Sequence, residues 1–171
     1  MKKLLLAVAV AVSAVAGYSK EVEFVPTVAN ANGSYSLTNA QNWVGGVVPG
    51  VNDVQVFKPT GTLLLAAEKK QSGYHQFAGM KFLSGNTFVT DGTYLYANAS
   101  ETELYVAEGA SVSCTNVIDT WSENYRIVKT GPGTFACKTF GADKTIKAIE
   151  AREGTLKVWN SARTSSVRIF N

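Results

Sequence analysis

A short phrase keeps returning in this chain: a glycine, one small residue, then a few residues that alternate between apolar and polar. It reads "TGTLLLA", "DGTYLYA", "EGASVSC", "GPGTFAC" and "EGTLKVW", with glycines at Gly61, Gly92, Gly109, Gly133 and Gly154. These stand 31, 17, 24 and 21 residues apart. Recurrence near twenty residues is the mark of stacked units, each too small to bury its own apolar side. Alternation puts Leu156 and Val158 on one face and Lys157 on the other, and it gives Tyr94 and Tyr96 a common face. A glycine ahead of each strand permits a turn with positive φ. Coils of this length, each pairing its strands with the coil below, build a parallel β-helix, a β-solenoid. The competing architecture is an antiparallel β-sandwich, whose short strands also recur between turn signals. Periodicity alone leaves the two level.

Composition agrees with either all-β reading. The chain has 171 residues, enough for one domain with a sizeable core. It is 46% hydrophobic and 17% charged, against about 25% charged in an average protein, so it is an ordered chain rather than a disordered one. Fifteen glycines favour turns over helices.

The first residues read as an address. "MKKLLLAVAVAVSAVAGYS" has basic Lys2 and Lys3, an apolar run from Leu4 to Val12, and Ala14 and Ala16 ahead of a cut before Gly17. Residues 1–16 are therefore expected to be a secretory signal peptide, too short to be a spanning helix. The mature chain is expected outside the cytoplasm, in the periplasm, at the cell surface or beyond it, with no membrane span of its own. Loss of Lys2 and Lys3 leaves fourteen basic against thirteen acidic residues, a net charge of +1. With no basic stripe interleaved with aromatics, no nucleic-acid partner is expected.

The middle of the chain tips the choice toward the solenoid, with the sandwich as the alternative, through the order of its motifs. "NWVGGVVPG" holds Trp43, Gly45, Gly46 and Pro49. "KTGPGT" holds Gly131, Gly133 and Thr134. "EGTLKV" holds Gly154, Thr155 and Leu156. From Asn42 to Val158 this order resembles the autotransporter-associated β-strand repeat, also called the passenger-associated transport repeat. The resemblance implies an exported, right-handed parallel β-helix displayed or released at a Gram-negative surface. The family's C-terminal translocator barrel has no counterpart in this sequence. The expected layout is the signal at 1–16, an N-terminal segment at 17–58 and solenoid repeats over 59–171, open to truncation at the C-terminal end.

Local chemistry adds detail. Val48-Pro49-Gly50-Val51 suits a type II turn with Gly50 at the positive-φ corner, leading into a strand over Val54–Phe57. Trp43 either caps the first coil or sits in an ordinary core. "ADKTIKAIEARE" has the spacing of one short helix, with Asp143 as its cap, but continuity of the coils favours a strand.

Reactive groups are few. Cys114 and Cys137 stand 23 apart, and sliding the chain by 23 also pairs Ser111 with Thr134 and Val112 with Phe135. That stacks the two sulfurs on adjacent coils, within disulfide reach. Counting from the glycines instead faces them oppositely, so a disulfide and two buried thiols both stand open. His75 is the only histidine, and it has no nucleophile context. Glu101 and Glu103 share a strand face and read as a solvated edge rather than a glycosidase pair. No metal site, cofactor or catalytic residue is expected.

Two functions remain. The first is a non-catalytic structural or adhesive surface module. The second is a carbohydrate-binding or polysaccharide-degrading β-helix protein. For the second, Tyr94, Tyr96 and Tyr105 are the candidate glycan platform, while Asp53, Asp91, Asp119 and Asp143 are too scattered to hold a cation. Expected partners are a glycan, another cell's surface, or a second copy of the chain. Self-association would run through the C-terminal strand "VRIF", which has no polar cap.

Overall fold

The computed structural model describes residues 20–67, 75–90, 94–141, 145–162, 164 and 166–169. The expected signal peptide, residues 1–16, lies outside the described residues, as do Asp91, Gly92 and Asp143. The strands in chain order begin with β1 (Glu21–Phe24), β2 (Tyr35–Ser36), β3 (Val54–Phe57), β4 (Thr62–Ala66) and β5 (His75–Phe77). Next come β6 (Gly79–Phe82), β7 (Asn86–Thr90), β8 (Tyr94–Ala97), β9 (Glu101–Val106) and β10 (Ser111–Thr120). The last are β11 (Arg126–Thr130), β12 (Thr134–Phe140), β13 (Ala148–Ala151), β14 (Thr155–Ala162) and β15 (Val167–Ile169). The one helical element among the described residues is a single 3-10 turn, Ala40–Asn42.

These strands stack as a parallel β-solenoid, which rules out the antiparallel sandwich. The first face is a seven-stranded sheet in the order β1-β3-β6-β9-β11-β13-β15. The second face runs β2-β4-β7-β10-β12-β14. The third face is formed by β5 and β8, continued by the C-terminal halves of β10, β12 and β14. At the corner between the second and third faces, register slips between Cys114 and Val117 and between Cys137 and Thr139. One coil is thus a strand on each of three faces, and every coil lies on the one before it.

Register explains both the glycine pattern and the places where its reading was incomplete. Thr62, Asn86, Ser111, Thr134 and Thr155 are successive Cα partners at the start of the second face, in steps of 24, 25, 23 and 21 residues. The residues before them are Gly61, Gly85, Ala110, Gly133 and Gly154. Gly85 therefore belongs to this column, and Gly109 stands one place ahead of it. Gly133 is required for space: a Cβ there would overlap the carbonyl oxygens of Ala107 and Ala110 on the preceding coil. Gly154 is required twice over. Its φ is +67°, and a Cβ would lie 2.5 Å from the carbonyls of Gly131 and Gly133.

Within the N-terminal segment, β1 and β3 are already the first two rungs of the first face. The Pro49-Gly50 turn is not type II, since Gly50 does not adopt positive φ. Instead the Gly50 carbonyl accepts from Asp53 N at 3.1 Å, and the Asp53 carboxylate accepts from Gly50 N at 2.7 Å. This Asx-type bond closes the turn one step later without a left-handed residue. Helix-like spacing over 142–153 loses to ladder continuity: Ala148–Ala151 is strand β13, and Ile149 and Ala151 continue the columns of Ile127 and Lys129.

The interior is filled by columns of like residues. Phe24, Phe57 and Phe82 are register partners pointing inward, each 3% exposed or less. Phe57 and Phe82 stack face to face with ring centroids 4.9 Å apart, close to the spacing of the strands that carry them. Trp43 closes the first coil and is core at the same time. Its ring meets Phe24 edge-on at 4.9 Å, its Nε1 donates to the Leu37 carbonyl at 3.0 Å, and its backbone bridges antiparallel to Phe24. The Asn42 side chain accepts from Thr27 N and Val28 N and donates to Val28 O and Ser36 O, pinning the cap. Phe57 lies at the centre of this column, so Phe57→Ala opens a cavity between two coils. Loss of about 3–5 kcal/mol is expected, measured by urea unfolding with strand content intact at zero urea.

Candidate functional site

The chemistry of this chain sits in three places: the outer side of the first face, the turn after β11, and the paired cysteines. Alternation sends every second residue of the first face outward, and parallel register aligns these residues between coils. Glu103, Val128, Glu150 and Arg168 are successive partners, flanked by the pair Glu101 and Arg126. Glu101 pairs with Arg126 and with Arg152, the latter at 3.0 Å. Glu150, its side chain only 3% exposed, faces Arg152 at 2.9 Å, Arg126 at 3.6 Å and Arg168 at 3.9 Å. A buried carboxylate is tolerated when it is paired and hydrogen-bonded, and here three guanidinium groups roof it. Glu103 accepts from the Thr130 hydroxyl at 2.5 Å. Glu101 is therefore a rung of an ionic ladder, and Glu103 is tied to the next coil through the Thr130 hydroxyl.

Nearer the N-terminal end of the same face, Glu21, Lys81, Leu83, Glu103 and Tyr105 line an open cleft of about 400 Å3. Lys81 donates to Glu21 at 2.6 Å, and that bond raises its pKa above the ordinary lysine value. The cleft places one aromatic ring beside two carboxylates and an ammonium. Tyr96 does not join it. It lies on the third face, almost buried, with its ring edge-on to Trp121 at 6.0 Å. The Tyr94 side chain lies outside the described residues. Tyr96 and Tyr105, expected on one platform, thus lie on different faces. Trp121, half exposed, is an aromatic surface that sequence reasoning passed over, as is Trp159. The signal of Trp121 was its place directly after the alternating strand β10.

Lys129 was also missed. In Arg126-Ile127-Val128-Lys129 it falls at an inward position, continuing the column Met80–Leu104. It is fully buried, and its Nζ donates to the carbonyls of Thr130 at 2.8 Å, Gly131 at 2.6 Å and Glu153 at 3.1 Å. Three protons meet three acceptors, and two consecutive coil turns are tied together. Burial lowers the Lys129 pKa to about 8, with the nearby Glu153 carboxylate opposing the shift.

The remaining candidates have structural surroundings. His75 is buried, with Nε2 3.0 Å from the Gln55 side-chain oxygen across the interior. Asp53 closes the turn at Gly50, and Asp119 is buried on the third face, where its carboxylate accepts from Thr120 N at 2.8 Å. Among the described residues no three His, Cys, Asp or Glu side chains are grouped to hold a metal ion. Among them, too, no helix is long and apolar enough to cross a membrane. Of the motif residues, Trp43 is the cap. Gly45 and Gly46 are the positive-φ turn after it, at +83° and +67°. Pro49 precedes the Asp53-closed turn. Gly131, Gly133 and Thr134 form the Lys129 turn and the strand start behind it, and Gly154, Thr155 and Leu156 repeat that corner one coil on.

Such a stack of three-faced coils defines the class, a parallel β-solenoid with a capped N-terminal end. No protein-family model, no curated protein and no solved structure matches this chain, so its reading rests on its own geometry.

Replacing Lys129 by Met keeps the apolar stem and removes the donor from three carbonyls. Destabilisation of about 3 kcal/mol is expected in urea unfolding, each buried unsatisfied acceptor costing about 1–3 kcal/mol but relaxing in part toward solvent. Because the folded-state pKa lies below the unfolded value of 10.5, the unfolded chain keeps its proton to higher pH. The Lys129 contribution therefore makes the fold more stable as pH rises from about 8 towards 10.5. Urea midpoints across that window, with Lys129→Met as the reference, should show the wild-type protein gaining on the variant.

Proposed function

We propose that this chain is a non-catalytic, exported structural and adhesive module, similar to the passenger region of autotransporter-associated repeat proteins. The observation that carries this reading is the unbroken parallel stack of the first face from β1 to β15, with side chains filling the inside and an ionic ladder on the outside. A solenoid of this kind extends by adding coils, and each coil presents one more row of outward side chains. That suits reach and display. Trp43, the Gly45-Gly46 turn, the Lys129 turn and the Gly154 corner each have a structural task that supports the repeat-family resemblance. Fold by itself names no ligand, and the family reading rests on the order of those motifs.

The C-terminal coil supports self-association as part of this function. Val167 and Ile169 are 61% and 75% exposed, and with Ile149, Ala151, Leu156 and Val158 they line an apolar hollow of about 270 Å3. At the other end Trp43 and the 37–43 segment cover the first coil. The occupant we assign to the hollow is the same C-terminal coil of a second copy. In sedimentation velocity, residues 17–171 should self-associate as concentration rises, and Val167→Lys with Ile169→Lys should restore a monomer. A monomer at every concentration in the unsubstituted chain would overturn this contact.

The second reading, glycan binding, is favoured by one observation, the Tyr105 cleft with its carboxylates and Lys81. Export decides between a surface role and an internal one. A C-terminally tagged chain expressed in a Gram-negative host should leave the cytoplasm and be cleaved by protease added to intact cells. Deleting residues 2–16 should hold it inside. Retention of the complete chain in the cytoplasm would sink the exported reading, and turnover of a polysaccharide by purified protein would replace it with the degrading one.

A further inference from the structure

Cys114 and Cys137 are direct Cα partners in the parallel ladder between β10 and β12. Their neighbours in the same column are Val89 before and Val158 after, so both sulfurs sit in an interior row of apolar side chains. Both residues are fully buried. The sulfurs converge: Cys137 Sγ lies 3.5 Å and Cys114 Sγ 3.9 Å from the same acceptor, the Asn116 carbonyl. Adjacent parallel strands run about 4.8 Å apart, and a disulfide bridges Cα atoms about 4.4–6.8 Å apart. The sequence left these residues facing the same way or opposite ways, and the register makes them face the same way.

The place of the pair in the coil matters. Ladder register slips immediately after each cysteine, between Cys114 and Val117 on β10 and between Cys137 and Thr139 on β12. This corner is where backbone hydrogen bonding between the two coils is interrupted.

We propose that Cys114 and Cys137 form an intrachain disulfide that staples two adjacent coils at their bulged corner. Both are thiols in the structure, so the same backbone serves the reduced and the oxidised chain. The oxidant is a disulfide, either small or carried by a thiol oxidoreductase. One cysteine thiolate attacks it, forms a mixed disulfide and releases the first thiolate. The second cysteine thiolate attacks the sulfur of the first and releases the other half. Two electrons and two protons pass from the cysteine pair, and the oxidant leaves as two thiols. Because both sulfurs are sealed in the finished stack, exchange takes place before the coil of β12 and β14 closes over them. The finished bond is then shielded from reductants.

Refolding in vitro separates this proposal from the exported reading that supplies its oxidising setting. The full chain is unfolded in urea with reductant, then refolded with mixed oxidised and reduced glutathione. It is then denatured, alkylated and weighed, and digested for non-reducing peptide mapping. The expected product has no free thiol and a mass 2 Da below the reduced chain by loss of two hydrogens, with Cys114 and Cys137 peptides joined. Its melting temperature should exceed that of the reduced chain by about 6–12 °C, as expected for a loop of this length in a chain of this size. Two alkylated cysteines in the refolded protein, a disulfide between separate chains, or equal melting of both forms would overturn the proposal. Because the unsubstituted chain gives every one of these readouts, no variant has to fold for the test to decide.

Discussion

Parallel, in-register stacking is the constraint on which everything else in this molecule depends. A strand in a parallel ladder sits about 4.8 Å from its neighbour, and nothing intervenes between successive coils except their side chains. Each inward position must therefore accept the residue directly above and below it. Phe24, Phe57 and Phe82 meet this condition by stacking, and Leu63, Thr87, Val112 and Phe135 meet it by being of packable size. At the corners the same spacing leaves no room for a Cβ. Gly133 and Gly154 are there because the previous coil's carbonyls already occupy the space.

The polar groups inside the stack follow from this constraint as well. A residue that the alternation turns inward must satisfy its hydrogen bonds locally, since water is excluded. Lys129 does so by capping three turn carbonyls, Gln55 and His75 do so across the interior, and Asn42 does so at the cap. Outside, the register that aligns like residues also aligns charges. It brings Glu101, Glu150, Arg126, Arg152 and Arg168 together from four coils, although Glu101 and Arg168 are far apart in the chain.

A filled interior has a consequence for function. Among the described residues the interior is packed with side chains, and the faces and ends of the stack are the surfaces open to recognition. The first face offers a charged ladder and the Tyr105 cleft, the third offers Trp121, and the last coil offers an apolar row. These are surfaces for contact, which is why the proposed function is one of display and adhesion.

Much of this was legible in the sequence because solenoid folding is nearly local. The glycine-then-alternation phrase marks the corner and the second-face strand at Gly61, Gly133 and Gly154. The offset of 23 between Ser111-Val112-x-Cys114 and Thr134-Phe135-x-Cys137 is the register found. What failed to show were features set by contacts between coils. Gly85 belongs to the corner column although its phrase differs, and Gly50 needs no positive φ because Asp53 three residues on closes its turn. Tyr96 and Tyr105 lie on different faces, because the bends that part β8 from β9 and β10 leave no trace in periodicity. By itself the sequence determined the short strands and the all-β class, since those depend on alternation and on glycine's freedom within a few residues, while alternation left the parallel stack level with an antiparallel sandwich. Only the tertiary structure decided which side chains meet: the buried lysine with its three carbonyls, the roofed Glu150 and the two converging sulfurs. Each of these depends on the register between coils more than twenty residues apart, which is chosen by the fit of the whole stack.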